Sequence, residues 1–514
     1  PVRPLFRPYL GMVWRNAFRD GARALVISAP GMPFLGVVPF LFAVVIAAGW
    51  TALPFSLYAW FPGIYLTAVI LSGLSYCSPG LAIPVAAGLV CEHAVRAVAF
   101  PAGAVAGLFT KHPSNGADTM AFRTVVSVKH AYFESAGTPE AEMIRFLAGK
   151  ADAILSITHP FPDATLIPTN STAVEYGPNG GVARTFRSPA MRGNDLLFYL
   201  KDCILSVWYV YRTRRVYDLY AGSDNLNTLA GIVLRWLGRV RYVAYYVIDF
   251  TPVRFRNRFM NAVYQSINRF CCYHADAIWN VSPAMIAGRE SIGIMRSRSA
   301  PQITVPLGCD YERVRKNAAE SYDPQAIAYF GSLRGEHGPG LILEAMPRIL
   351  GEYPDASVVF AGGGPLMEPL RARAAELGIE NRVRFTGFVA TDDEAYGILS
   401  ACGLSLATYP ADDHTYKAYC DPGKVKIYLA CGLPVLMTDV PAVARELAEK
   451  GAGALVEHTP DSLAETVLRI FRDPDEHSRM RERALETARE YDWTAIWERT
   501  FEETGKVTLL KMGG

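Results

Sequence analysis

Between Ala24 and Cys91 the sequence has no Asp, Glu, Lys, Arg or His, a gap of 68 residues that excludes an ordinary soluble domain there. Other shortages are of patterns rather than residue types. The nine cysteines form no C-x-x-C pair and sit in apolar contexts, so they read as reduced core residues, not metal ligands or a disulfide framework. No long run of Lys and Arg appears and the net charge is only +2, which leaves no ground for nucleic acid as a partner. The chain begins at Pro1 rather than Met, which reads as a processed or truncated product. What abounds is apolar. Hydrophobic residues reach 51% and the mean hydropathy is +0.13, so part of the chain is expected to lie in lipid. At 514 residues there is room for three domains of roughly 150 residues each.

Within the uncharged stretch, residues 32–49 and 55–76 are each long enough to cross a hydrocarbon core of about 30 Å. Pro33, Pro39 and Pro62 are tolerable where neighbouring helices satisfy the freed carbonyls. Upstream, residues 5–26 place Arg7, Arg15, Arg19 and Arg23 among Leu10, Trp14 and Phe18. That pattern predicts a basic amphipathic helix on the cytoplasmic leaflet, the plain alternative being a helix of a preceding domain. The third apolar stretch, residues 80–109, is broken by Glu92, His93 and Arg96 into halves too short to span. Two spans plus a re-entrant or interfacial piece therefore keep both flanks in the cytosol, with four spans as the runner-up. The expected location is the cell inner membrane, multi-pass, with the catalytic domains in the cytoplasm. Pro4-Leu5-Phe6-Arg7-Pro8-Tyr9-Leu10 and Trp14-Arg15-Asn16-Ala17-Phe18-Arg19, followed by apolar spans, resemble the C-terminal end of membrane-bound family-two glycosyltransferases. The Gln-x-x-Arg-Trp motif of that family is absent, so no catalytic role is carried over.

After a polar break at residues 111–118 the texture becomes short apolar runs alternating with helical patterns, the mark of an α/β domain. Strands are expected at 153–158, 217–222, 242–248 and 277–281, and helices at 195–211, 225–237 and 257–273. Gly137-Thr138-Pro139-Glu140 and Ser282-Pro283 read as helix starts. Ligands of open parallel sheets gather at the carboxyl ends of strands. His159, the pair Asp224 and Asn225, and Asp249 fall there; each reads either as an acceptor-side or catalytic group or as a turn or cap residue. Asp249 is favoured as functional because it ends a strongly apolar strand, where an unpaired carboxylate is costly.

From Ala326 onward the alternation is regular, with strands expected at 326–331, 357–361, 383–387, 404–409, 434–439 and 454–457. Three motifs stand at strand ends. Gly331-Ser332-Leu333-Arg334 with His337-Gly338 gives a turn that a phosphate can approach, beside a guanidinium able to grip it bidentately. Ala361-Gly362-Gly363-Gly364-Pro365 opens a helix. Asp421-Pro422-Gly423-Lys424 leads into another, whose N-terminal N–H groups favour an anion beside Lys424. Singly each is weak, since a glycine turn after a strand is commonly only a turn; in this order they reinforce one another.

On these residues the chain resembles the retaining GT-B glycosyltransferases of family four over about residues 124–505, most specifically over 326–439. The resemblance implies an α/β GT-B fold, two Rossmann-like domains with parallel sheets, here preceded by an α-helical transmembrane segment. The implied boundaries are an interfacial helix at 1–30, a transmembrane segment at 31–115, and an acceptor domain at 116–322. A donor domain follows at 323–485, with a C-terminal helix packing back across the lobes at 486–514. Gly331, Arg334, His337, Gly363 and Lys424 are implied to hold the diphosphate, and Phe388 and Val389 to lie beside the base. Asp249 falls where the family places a His or Asp facing the sugar. The family's Glu-x7-Glu pair would fall on Tyr419 and Ile427, neither of which is acidic, so hydroxyl recognition is expected either to pass to another residue such as Asp421 or to be weakened. The implied partners are a nucleotide sugar, a glycan or polyprenyl-linked acceptor and membrane lipid, with neither metal nor other cofactor. The implied activity is sugar transfer with retention in polysaccharide biosynthesis; the alternative is a catalytically silent GT-B scaffold or nucleotide-sugar sensor at the membrane.

Overall fold

A computed structural model describes residues 122–132, 137–162, 164, 169–190, 195–411 and 416–510. The two spans and the basic helix expected before residue 116 lie outside the described residues. Among the described residues no helix is long and apolar enough to cross a membrane.

Fourteen strands among the described residues form two sheets. The first contains β1 (Thr124–Ala131), β2 (Ala153–Pro160), β3 (Thr172–Tyr176), β4 (Val182–Arg187), β5 (Tyr217–Ser223), β6 (Val240–Val247), β7 (Ala277–Asn280) and β8 (Gln302–Thr304). Their order is β4-β3-β2-β1-β5-β6-β7-β8. The inner strands are apolar without alternation because helices cover both faces. Val126 pairs with Leu155 on one side and Tyr220 on the other, all fully buried. β3 and β4 form an antiparallel hairpin at the edge, a departure from the parallel pattern.

The second sheet contains β9 (Asp323–Phe330), β10 (Ser357–Ala361), β11 (Val383–Gly387), β12 (Cys402–Ala407), β13 (Val435–Thr438) and β14 (Gly453–Val456). It is parallel throughout, in the order β11-β10-β9-β12-β13-β14. Both sheets reverse their direction of growth once, between β1 and β5 and between β9 and β12. At each reversal the flanking connections run to opposite faces and leave a crevice at the strands' carboxyl ends, where a ligand can enter.

The helices cap where the sequence provides for it. Thr138 accepts from the Ala141 amide at the start of Pro139–Leu147, and Asn257 from the Phe259 and Met260 amides at the start of Arg258–His274. Gly231, inside the helix Asn225–Trp236, lies against the ring of buried Tyr220, and a side chain there would enter that ring.

Two stretches of chain join the sheets, and they run side by side. The Cys309 amide donates to the Tyr491 carbonyl (2.9 Å) and the Trp493 amide to the Cys309 carbonyl (3.1 Å). Helix Pro474–Glu490 buries Met480, Ala484 and Ala488 in the second lobe, whereas the next helix, Trp493–Leu510, returns to the first. There Trp497 and Phe501 pack on Trp279, whose indole N–H donates to Thr504 Oγ1 (2.9 Å). Trp497→Ala removes a fully buried indole from this contact and is expected to cost about 3–5 kcal/mol in denaturant unfolding. A loss below ~1 kcal/mol would show that the returning helix is not part of the first lobe's cooperative core.

Candidate active site

The second-lobe crevice is built from interlocked glycine turns. Beyond β9, Gly331 adopts φ +117° and its amide donates to the Ala361 carbonyl (2.9 Å); the Leu333 amide donates to Gly363 (2.9 Å). Gly362 and Gly364, both at positive φ, sit so close to the backbone of Gly331 and Leu333 that a Cβ would collide with it. Those two glycines are demanded by the fold. Gly363 is not, since a Cβ there would meet nothing nearer than the Phe388 amide at 3.7 Å. Phe388 is 87% exposed and Val389 half-buried, so this loop offers an open aromatic ring beside the turn.

Gly338 packs on the Thr408 carbonyl, while Thr408 Oγ1 donates to Gly338 O (2.9 Å), pinning the first turn to the end of β12. His337 Nδ1–H donates to the Ser332 carbonyl (2.9 Å), and its ring meets Tyr409 edge-on. Burial first, then the positive charges of Lys417 and Lys424, hold the His337 pKa below the usual 6.5. At neutral pH it is an uncharged imidazole, not a permanent cation. Arg334 stands exposed just before it, and its side chain has no hydrogen-bond or ion-pair partner among the described residues.

Lys424 is the group that the protein leaves incomplete. It opens helix Gly423–Ala430 with its Nζ over the rings of Tyr329 (4.4 Å) and Tyr409 (5.1 Å). That nitrogen is buried and has no hydrogen-bond acceptor. Burial, reinforced by the charge of Lys417 and partly opposed by Cys420, brings its pKa down to about 7. Lys417 lies against the same aromatic wall, 5.4 Å from the Tyr409 ring. An anion entering between the glycine turns and this helix meets two lysines, a free guanidinium and the helix N-terminus.

Asp421 has another task. It is buried, its Oδ1 pairs with buried Lys426 and its Oδ2 accepts from the Leu307 amide (2.7 Å) in the connection between the lobes. Both oxygens are occupied, which corrects the expectation that it recognises a sugar hydroxyl. Tyr419 packs edge-on against Phe250 (5.2 Å), and Ile427 against the core, so neither replaces the missing acids.

That Tyr419–Phe250 contact brings the end of β6 to the second-lobe crevice. Asp249, the neighbour of Phe250, acts electrostatically on Cys420. The strand ends at Val247 and Asp249 is exposed, so the expectation of a carboxylate stranded in an apolar strand is corrected: it sits in solvent in the loop after β6. The more enclosed acid is Asp224, which is half-buried. Its backbone adopts φ +69°, ψ 168°, a region disfavoured for a residue with a Cβ, and its carboxylate has no hydrogen-bond partner among the described residues. Burial and then the charge of Asp249 push its pKa up to about 6, against the pull of Arg254.

Two other expectations are corrected. His159 ends β2 but is fully buried, its Nδ1 bonded to Ser171 Oγ and its Nε2 to Ser206 Oγ (both 2.8 Å), with desolvation lowering its pKa to about 4. Asn225 is buried and its Nδ2 donates to the Tyr264 carbonyl (3.1 Å). Both are internal braces. His130, which the sequence did not single out, stands at the end of β1 beside the crevice. It is held between Asp202 (Nε2, 3.3 Å) and Asn227 (Nδ1, 3.1 Å). An apolar run, Thr124–Ala131, broken by a histidine was the signal for it.

Residues 324–473 match the model of the family described as Glycosyl transferases group 1. The chain is 28% identical over 186 residues to the GDP-mannose-dependent alpha-(1-6)-phosphatidylinositol dimannoside mannosyltransferase of Mycobacterium tuberculosis, covering 34% of this chain and 45% of that protein. It is 27% identical over 191 residues to the D-inositol 3-phosphate glycosyltransferase of Corynebacterium glutamicum, covering 36% and 44%. The chain thus spans less than half the length of either relative. Among solved structures, Anabaena HepE in complex with UDP is matched over 76% of this chain and all of that one, with TM-score 0.52 and 16% identity. The sucrose-phosphate synthase of Thermosynechococcus elongatus is matched to the same extent, with TM-score 0.53 and 16% identity. These likenesses show the fold, which is GT-B, and the second lobe carries the family's segment.

Lys424 supplies a measurable signature. Between pH 7 and 10.5 it is neutral in the folded chain and protonated in the unfolded one, so its burial weighs fully against folding below pH 7 and is relieved as pH rises. A bound diphosphate reverses this by favouring the ammonium. At pH 8 a nucleotide sugar is expected to bind with uptake of about one proton, read from calorimetry in buffers of different ionisation enthalpy. Lys424→Met should abolish the uptake and weaken binding roughly tenfold to a hundredfold; unchanged uptake would remove Lys424 from the site.

Proposed function

We propose that the chain is a membrane-associated retaining glycosyltransferase that moves a sugar from a nucleotide sugar to a glycan or lipid-linked acceptor in polysaccharide biosynthesis. The observation that carries this reading is the buried amino group of Lys424, without an acceptor, beside the glycine turns and the free Arg334. A diphosphate completes that site, and the matched family segment spans it. Relatives named for GDP-mannose and a phosphatidylinositol acceptor, and a fold neighbour crystallised with UDP, support the donor and acceptor classes. The uncharged 68-residue stretch supports a place at the cytoplasmic face of the inner membrane.

As the glycosyl bond breaks, charge grows on the leaving diphosphate, where Arg334, Lys424 and the amides at Gly423 oppose it. Positive charge grows on the sugar, and Asp249 at the cleft stabilises it. Asp224, whose protonation changes near pH 6, belongs in this reading to the acceptor side. Attack from the leaving-group face calls for neither an enzyme nucleophile nor a metal.

The test is turnover of the full chain with UDP and GDP sugars and a lipid-linked acceptor, with the anomeric configuration of the product determined. Arg334→Ala is expected to lower kcat/KM by about 10²–10³-fold, and near wild-type turnover would sink the assignment. Asp249→Asn should reduce kcat with little change in donor affinity. The non-acidic Tyr419 and Ile427 favour one other reading, a donor sensor that binds without transferring. Donor binding without nucleotide release would establish that instead.

A further inference from the structure

Helix Asp195–Thr213 carries apolar side chains on both faces. Its inner face buries Tyr209 and Val210 in the core of the first sheet, and Phe198 is buried as well. Its outer face presents Leu200 (55% exposed), Ile204 (59%), Trp208 (47%) and Tyr211 (37%) at intervals of four, four and three residues, one continuous solvent-facing stripe. A helix with one inward stripe suffices to cover a sheet, and four large side chains in water along the other is a cost that needs a partner.

The charges at its end name that partner. Arg212 lies over the Trp208 ring (5.9 Å) and Arg239 over Tyr211 (4.5 Å), so guanidinium groups rim the stripe. Arg214 follows in the next turn, at φ +58°. None of Arg212, Arg214 and Arg239 has an ion pair among the described residues. From Leu200 onward the helix has one acid, Asp202, and it is turned inward and bonded to His130 and His159. An apolar stripe ending in unpaired arginines is the pattern that seats apolar side chains among acyl chains and guanidinium groups among phosphates.

The stripe also points somewhere. The helix leads into β5 through only three residues, so its arginine end lies at the strands' amino edge and Leu200 towards the carboxyl edge, where the crevice opens. We propose that this face docks on an anionic phospholipid surface, laying the first lobe on the bilayer with the acceptor crevice at its rim. The proposal stands on exposure and charge and does not depend on the transferase reading.

Photo-crosslinking on the full chain in vesicles tests it. Ile204→benzoylphenylalanine and Trp208→benzoylphenylalanine, both at exposed positions, are irradiated in phosphatidylglycerol-containing and in pure phosphatidylcholine vesicles, and adducts are identified by mass. Leu455→benzoylphenylalanine, exposed on the second lobe, controls for mere nearness to a membrane. Lipid adducts at 204 and 208, at least tenfold fewer at 455, and a tenfold loss in phosphatidylcholine or with Arg212→Glu/Arg214→Glu support the proposal. Absence of lipid adducts at both positions overturns it. Adducts between two copies of the chain overturn it in favour of a self-association face, and yields indifferent to lipid charge overturn the anionic requirement.

Discussion

Asp421 holds the arrangement on which the rest depends. Its carboxylate is out of water, grips the Lys426 ammonium with one oxygen and the Leu307 amide with the other, and so fixes the donor-side helix to the chain joining the lobes. A buried charge keeps its place only when partnered, and removing either partner leaves the other stranded. Three residues along the chain, Lys424 is placed by that anchor where no protein group neutralises it. The contrast between two lysines on one helix, one completed and one left open, is the electrostatic content of the site.

The fold was largely readable because parallel strands buried on both faces write themselves as apolar runs, and those of the second lobe, β9 to β14, appeared within a few residues of their observed ends. β1 escaped because Lys129 and His130 interrupt its run, and the β3–β4 hairpin because its outer strand is almost wholly exposed and alternates nothing. Site residues divided by whether their role is local. Gly331, Arg334 and Lys424 follow from turn and helix-start chemistry within a few positions. His159, Asn225 and Asp421 could not be placed, since each has a partner between 12 and 114 residues away and only packing reveals that their polar atoms are already used. Asp249 proved exposed because the strand ends two residues before it, and boundaries are what sequence patterns fix least well.

The substitutions at 337, 419 and 427 share a direction. Each replaces a charge expected from the family resemblance with a neutral group, and at 337 the protein's own burial and two neighbouring lysines keep the imidazole uncharged. The site relies on fewer, more deeply set charges, and with Lys424 poised near pH 7 its attraction for an anion is conditional on protonation.

The paired crossing between lobes has a mechanical meaning. Because Cys309 and the 491–493 segment are hydrogen-bonded to each other, the two connections form a short two-stranded ribbon, not two independent tethers. A ribbon bends readily about one axis and resists shear and twist. Any relative motion of the sheets must therefore carry both connections together, because moving one without the other would break the Cys309 hydrogen bonds.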